Sequence, residues 1–243
     1  TTGSLYLYQG TGVGGFLFGN PARGDWSEFD TIVSAWDFDG DGDNDLIARH
    51  RTTKNLRLYK GNAVGGFKPG RIIDRDWSEF DSVFSVRDFS GDGRPDLIAK
   101  HSSTGDLHLY EGNGTGGFES GGGQVVGKDF YRFDIILSPG DFDGDGDNDL
   151  IARHRTTKDL HLYRGNGTGG FQSGTGGVIS ANWSVFDSVF SVGDFTSDGR
   201  PDLIARHATT KDLHLYLGDG VGGFLAGSGN VIGYNWAAYD QLL

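Results

Sequence analysis

The chain has 243 residues, a formal net charge of −12 at pH 7 and no cysteine, so no disulfide stabilises it. No apolar run is long enough to span a bilayer, which disfavours membrane insertion. Hydrophobic residues make up 36% of the chain and aromatic residues 13%, enough for a packed core despite 43 glycines. Because we find no apolar periodicity of 3.6 residues, the composition indicates a folded protein rich in turns and poor in helix.

An Asp-rich loop occurs four times, beginning at Asp37, Asp88, Asp141 and Asp194. The starts are 51, 53 and 53 residues apart, and self-similarity at a long fixed period is typical of repeat architectures. The period therefore predicts one all-β repeat domain rather than two ordinary domains.

Each unit contains four short segments of strand-type composition, separated by Gly, Asn and Asp turns. Segment A precedes the Asp loop, segment B follows it, segment C ends in Leu-Tyr, and segment D ends near a Trp in most units. Four antiparallel strands in about 50 residues predict the blades of a β-propeller rather than a sandwich. The copies lie at 29–36, 80–86, 133–138 and 186–192 for A, at 45–50, 96–101, 149–154 and 202–207 for B, and at 55–59, 106–110, 159–163 and 212–216 for C.

Five Gly-Gly-Phe corners accompany only four Asp loops. The chain opens in a segment C and stops inside a segment A, so joining its ends predicts a fifth, closing blade that lacks one strand. A fragment of a longer propeller is the alternative. The single predicted domain, 1–243, thus has units at about 29–79, 80–132, 133–185 and 186–238, with a closing blade from 1–28 plus 239–243.

The Asp loops have the spacing of an oxygen-ligand site for a hard cation. Side chains alternate at positions 1, 3 and 5, glycine at position 6 permits the reversal, position 7 offers a carbonyl, and position 9 adds an Asp. The Glu at position 12 of a helix–loop–helix calcium site is missing, which disfavours that fold. The predicted ligands of about four Ca²⁺ are Asp37, Asp39, Asp41, Asp43, Asp45, Asp88, Ser90, Asp92, Arg94, Asp96, Asp141, Asp143, Asp145, Asp147, Asp149, Asp194, Thr196, Asp198, Arg200 and Asp202, with Asp43, Arg94, Asp147 and Arg200 binding through main-chain carbonyls.

A turn without metal is the alternative, because Asp and Gly also favour Asx-turns. Repulsion among the carboxylates of one loop favours a bound cation instead. Fourteen Asp at positions 1, 3, 5 and 9 account for the acidity, so the rest of the chain is nearly neutral and a nucleic acid partner is disfavoured.

An aromatic residue recurs in each unit shortly before segment A, and a histidine ends each segment B. Aromatic rings stack on sugars, and one ring per blade would give multivalent binding. The histidines could hydrogen-bond sugar hydroxyls. Packing between blades is the alternative for both sets. The candidate carbohydrate-binding residues are Trp26, Trp77, Tyr131, Trp183, Trp236, His50, His101, His154 and His207.

The run Asp-x-Asp-x-Asp-Gly-x-x-Asp-Leu-Ile with a Gly-Gly-Phe corner resembles the FG-GAP/VCBS repeat of integrin-type and bacterial extracellular propellers, over essentially the whole chain. The succession of 165–171, a strand, Trp183 and 194–203 is similar in arrangement to fungal and bacterial propeller lectins. These resemblances imply calcium-binding loops, a secreted or extracellular protein, and carbohydrate or glycoconjugate as a partner.

No Gly-x-Ser-x-Gly elbow or phosphate-binding loop is present. Since the Asp residues recur in every unit, whereas a catalytic site normally breaks repeat symmetry, we expect a protein that is not an enzyme. The sequence favours a calcium-stabilised, lectin-like propeller with repeated shallow sites. Two alternatives stay open: a protein-interaction or adhesion propeller, and a non-catalytic domain appended to a larger secreted enzyme.

Overall fold

The computed structural model describes residues 3–22 and 24–242, and within them the chain is all-β apart from one short 3₁₀ turn, Phe130–Arg132. These residues form two compact units. The first unit comprises 3–7, 20–131 without Arg23, and 168–170; the second comprises 8–19, 132–167 and 171–242.

The first unit contains a two-stranded sheet and two four-stranded antiparallel sheets, which we name blades I and II. Consecutive strands are neighbours in each sheet, the up-and-down order of a propeller blade. The two-stranded sheet is β1 (Leu5–Leu7) with β2 (Asn20–Ala22). Blade I is β3 (Phe29–Trp36), β4 (Asp45–His50), β5 (Leu56–Tyr59) and β6 (Arg71–Asp74); blade II is β7 (Phe80–Ser85), β8 (Leu97–His101), β9 (Leu107–Tyr110) and β10 (Gln124–Gly127).

The second unit contains two more antiparallel sheets of the same order, blades III and IV. Blade III is β11 (Phe133–Gly140), β12 (Asp149–His154), β13 (Leu160–Tyr163) and β14 (Gly177–Ser180); blade IV is β15 (Phe186–Phe190), β16 (Leu203–His207), β17 (Leu213–Tyr216) and β18 (Asn230–Gly233).

Burial explains why the segments differ in sequence. Every residue of β4 except its terminal histidine is buried, since this strand is covered on both faces. Strand β5 instead alternates, with Leu56 and Leu58 buried and Arg57 and Tyr59 half-buried. Blades I and II share one hydrophobic cluster that includes Phe38, Ile47, Trp77 and Phe80. Blades III and IV share an equivalent cluster in the second unit.

A β-bulge begins the first strand of every blade, and an Asp is the bulged residue in each. The bulge directs that carboxylate toward the basic residue near the end of the second strand. In blade I, Arg49 Nε donates to Asp30 at 2.8 Å, and Lys54 pairs with the same carboxylate. Although burial raises the pKa of Asp30, its hydrogen bonds to Lys54 and Arg49 bring it below the usual value.

The predicted fold class is confirmed: the chain is all-β and built from four-stranded antiparallel blades. The expected strand at the C-terminal end is wrong for 239–242, which are irregular, and Leu243 lies outside the described residues, as do Thr1, Thr2 and Arg23 of the predicted closing blade. The described residues form four complete blades and one two-stranded sheet, so a fifth blade stays a prediction. In this part of the chain, no helix is long and apolar enough to cross a membrane.

Candidate metal loops and ligand residues

The Asp loops connect the first and second strands of each blade; we name them loop one (37–45), loop two (88–96), loop three (141–149) and loop four (194–202). The backbone turns into each loop through a residue with positive φ and reverses at a glycine. At that glycine, Gly42 in loop one, φ is 92° and no atom lies within 4 Å of the point that a Cβ would occupy. A side chain there would have space but would strain the backbone, so conformation explains this glycine.

Two hydrogen bonds recur within the loops. In loop one, the carboxylate of Asp37 accepts the N–H of Gly42 at 3.0 Å, and that of Asp41 accepts the N–H of Asp43 at 3.2 Å. The other three loops repeat both bonds. The Asp residues at positions 1 and 5 therefore shape the turn as Asx-type acceptors, whether or not a cation is bound.

The Asp at position 9 is the most buried polar residue of every loop, at most 1% exposed. In loop three, its two oxygens accept the N–H groups of Phe142 and Gly165, both at 2.9 Å, which ties the loop to the corner after the third strand. Burial raises the pKa of Asp149 to about 7 and that of its loop-two counterpart, Asp96, to about 6. The sequence predicted position 9 only as a metal ligand and missed this second role.

Loops one and three bring three carboxylates together. Oxygens of Asp37, Asp39 and Asp41 all lie within 4.8 Å of one another, as do oxygens of Asp141, Asp143 and Asp149. In loop one, Asp37 Oδ1 is buried and accepts no hydrogen bond. A buried, unpartnered carboxylate oxygen beside two further carboxylates fits a divalent cation with oxygen ligands. The residues present therefore suit Ca²⁺.

Basic side chains from the neighbouring corner also approach these two loops. In blade I, Lys60 pairs with Asp39, and Lys68 lies 3.2 Å from Asp41. In blade III, Arg164 pairs with Asp143. These contacts offset part of the negative charge and would compete with a metal for the same oxygens.

Loops two and four have a different charge balance. The Arg at position 7 folds back on the Asp at position 5, with Arg94 Nη2 at 2.6 Å from Asp92 and Arg200 Nη2 at 2.6 Å from Asp198. Position 3 is Ser90 or Thr196, which carries no charge. Among the described residues, neither loop contains a cluster of three close carboxylates. The predicted ligand role of the position-7 carbonyls stays a prediction in all four loops.

The recurring tryptophans are core residues. Trp26, Trp77 and Trp183 are 6%, 2% and 3% exposed, and the ring centroid of Trp77 lies 4.4 Å from that of Tyr110. Trp236 is half-buried, and its ring centroid lies 4.5 Å from that of Tyr8. In this structure the first three rings pack against neighbouring tyrosine rings, which supports the packing alternative, and their carbohydrate-binding role stays a prediction.

The third unit has Phe130 and Tyr131 where the other units have a Trp, and the sequence did not show which of the two takes its place. The N–H of Phe130 donates to Gly105 O, just as the N–H of Trp77 donates to Lys54 O, so Phe130 occupies the tryptophan position. Phe130 is buried, whereas Tyr131 is 61% exposed. Of the predicted aromatic ligands, Tyr131 is therefore the one whose ring is open to a partner.

The four predicted histidines cap turns. His50 Nδ1 accepts the N–H groups of Thr52 and Thr53 at 3.3 and 3.1 Å, which leaves the proton of the neutral ring on Nε2. The copies repeat these bonds. Nδ1 is thus committed to the fold, and any sugar contact would use Nε2, a role that stays a prediction for His50, His101, His154 and His207.

An arginine near the end of the second strand joins neighbouring blades within each unit, a role that the sequence did not reveal. Arg49 Nη1 donates to Phe80 O at 2.5 Å and to Trp77 O at 3.4 Å, at the start of blade II. In the second unit, Arg153 makes the same bonds to blade IV. The available signal was the Asp that follows the first Phe of segment A, which repeats in step with the basic residue of segment B.

Antiparallel four-stranded blades that carry an Asp loop between their first two strands define a repeat protein of the β-propeller class. The family model described as the FG-GAP-like repeat matches residues 37–99, 88–152 and 141–205. The chain therefore belongs to the FG-GAP-like repeat family.

Among solved structures, the chain is similar to the V. cholerae biofilm matrix protein Bap1, with 17% identity and a TM-score of 0.33. The match covers 80% of this chain and 29% of that one, so this chain spans less than a third of that protein's length. No curated protein matches the sequence.

Proposed function

We propose that this chain is a calcium-stabilised, non-catalytic interaction domain of a secreted or extracellular protein. The observation that carries the calcium proposal is the buried, unpartnered Asp37 Oδ1 beside the carboxylates of Asp39 and Asp41. A cation there would occupy an oxygen that the protein leaves unsatisfied and would relieve repulsion among the three acids. Its role would be structural, because the loop connects two strands of one blade.

The structure favours loops one and three as the tighter members of the four predicted sites. Both have four carboxylates at positions 1, 3, 5 and 9, whereas loops two and four have three and carry an arginine that pairs with one of them. At a free calcium concentration of ten times Kd, each occupied site adds about 1.4 kcal/mol to the free energy of unfolding.

Thermal melting in calcium and in chelator tests this proposal. We expect a higher Tm in calcium, with a smaller effect of equal magnesium, because Mg²⁺ demands shorter, near-octahedral coordination. An unchanged Tm in calcium would show that the loops are metal-free Asx-turns.

A protein is the partner that the exposed surface favours. The tips of several Gly-rich corners carry valines open to solvent: Val64 is 85% exposed in the first unit, and Val13 and Val221 are 84% and 71% exposed in the second. Binding residues are often carried on loops held by a rigid scaffold, so these accessible side chains are candidate contacts for a protein surface. Because Trp26, Trp77 and Trp183 are buried among other aromatic rings, they give the lectin-like proposal less support than exposed rings would.

Carbohydrate remains the second candidate because of Tyr131, whose exposed ring could stack on a sugar. A glycan array in calcium, repeated with Tyr131→Ala, tests this candidate. Sugar binding that the substitution abolishes would favour it, whereas capture of a protein partner that free sugars do not displace would favour protein interaction. The same domain could be appended to a larger enzyme, and sequencing the complete gene would test that.

A further inference from the structure

The residue directly before each Asp loop breaks the repeat symmetry. It is glycine in blades III and IV, at Gly140 and Gly193, but Trp36 in blade I and Arg87 in blade II. All four have positive φ: 100° and 82° for the glycines, 56° for Trp36 and 52° for Arg87. Glycine adopts this conformation without strain, whereas a bulky residue there is disfavoured by its Cβ. Blades I and II thus hold two strained side chains where glycine would suffice.

These two side chains contact each other within the first unit. The guanidinium carbon of Arg87 lies 3.8 Å from the centroid of the Trp36 ring, a cation–π stack. Both residues are half-buried, and burial lowers the pKa of Arg87. The tryptophan therefore holds the guanidinium in one orientation.

The donors of this guanidinium are not used by the protein. Within 3–22 and 24–242, Arg87 makes no ion pair and its side chain donates no hydrogen bond. Other arginines differ: Arg49 is bonded to Asp30 and to two carbonyls, and Arg94 to Asp92 and Glu119. A partly desolvated cation without an anion is costly unless a ligand completes it.

We infer that Arg87, oriented by Trp36, is a binding group for a carboxylate carried by a ligand. The planar guanidinium presents parallel N–H donors that match the two oxygens of a carboxylate. The ring orders the side chain before binding, which reduces the entropy that binding would cost. Strained residues kept where glycine fits are typical of functional positions.

The residue before the loop in blades III and IV indicates which substitutions test this inference. Arg87→Gly and Trp36→Gly install the residue that blades III and IV already use, so both should fold and relieve backbone strain. We expect their Tm to equal or exceed that of the parent, while carboxylate binding is lost with Arg87→Gly. Arg87→Lys keeps the charge without the planar fork and should bind about tenfold more weakly. Arg75→Gln removes one charge from an exposed arginine and serves as the matched control.

Binding is measured by NMR in calcium, through the side-chain N–H signals of Arg87 and Trp36, which their glycine variants assign. The probes are glucuronate and N-acetylaspartate amide, with glucose and N-acetylasparagine amide as neutral counterparts. Saturable shifts with either carboxylate, absent with its neutral counterpart and unchanged in Arg75→Gln, support the inference. Saturation by glucuronate alone would assign a sugar carboxylate, and saturation by the aspartate derivative alone a peptide one.

Two results would overturn the inference. One is the absence of saturable, carboxylate-specific shifts at these two side chains. The other is a lower Tm for Arg87→Gly with carboxylate binding retained, which would make the stack a packing contact only.

Discussion

Loops one and three differ from loops two and four in what balances the charge of the same turn. In all four, the Asp residues at positions 1 and 5 accept the same backbone hydrogen bonds, and the Asp at position 9 is buried. Loops two and four carry their own cation, an arginine 2.6 Å from the Asp at position 5. Loops one and three have a fourth carboxylate and receive Lys60 or Arg164 from the adjacent corner. The backbone conformation of the loop therefore does not depend on which cation balances its carboxylates.

We expect the largest loss in the free energy of unfolding from substitution of the buried Asp at position 9, which all four loops share. Asp149→Ala in loop three and Asp202→Ala in loop four each leave at least two buried N–H groups without an acceptor. At roughly 1–3 kcal/mol per unsatisfied group, each substitution should cost about 2–6 kcal/mol in chelator, measured by urea unfolding. Asp240→Ala, at an exposed site, is the control. If only one of the two substitutions lowered the free energy of unfolding strongly, the buried Asp at position 9 would not have the same structural role in both loops.

Calcium should distinguish the two classes of loop. At ten times Kd it should stabilise the parent by about 3 kcal/mol if two sites fill. Asp37→Asn in loop one should remove about half of that gain, and Asp88→Asn at the same position of loop two should leave it almost intact. Unfolding curves with and without calcium provide the measurement. Equal losses from both substitutions would show that loops one and two bind calcium alike.

Loop two should be convertible into a calcium site. Ser90→Asp with Arg94→Asp restores the acids that loop one has at positions 3 and 7 and removes the internal guanidinium. We expect calorimetry to detect one additional Ca²⁺ and a further gain of about 1.4 kcal/mol at ten times Kd. Arg94→Asp alone is the matched control, since it lacks the added ligand at position 3. An unchanged stoichiometry in the double variant would mean that another feature of loop two blocks the metal.

We expect the smallest change in stability from removing the basic side chains that pair with loop carboxylates. Lys60→Gln removes one partly exposed ion pair and Arg94→Gln removes two, so both substitutions should cost little stability in chelator. Lys60→Gln should tighten calcium binding, because it frees a carboxylate of loop one, whereas Arg94→Gln should leave the tight sites unaffected. Calcium titration of both variants tests this. Weaker binding in Lys60→Gln would show that the lysine helps to position Asp39.

The sequence predicted the blades because four short strand-type segments, separated by Gly, Asn and Asp turns, recur at one spacing of about 50 residues. It placed the Asp loops between the correct strands for the same reason. It could not decide whether the tryptophans are exposed, because stacking on sugar and packing on Tyr110 require the same residue type. It also missed the contacts of Arg49 and the second role of Asp149, since both depend on partners distant along the chain.

The inter-blade arginines have a consequence for how the repeats hold together. Arg49, Arg153 and Arg206 each donate to carbonyls about 30 residues further along the chain, in the segment that follows their own blade. Blades I, III and IV thus depend on the segment that follows them to satisfy a buried guanidinium, whereas blade II has Lys100 at this position, paired with Asp81 of its own blade. Truncation before Tyr239 would leave Arg206 short of an acceptor, so damage at the carboxyl side of the second unit should propagate from blade IV to blade III. Within each unit, stability is therefore directional, and the first blade is coupled to the second rather than independent of it.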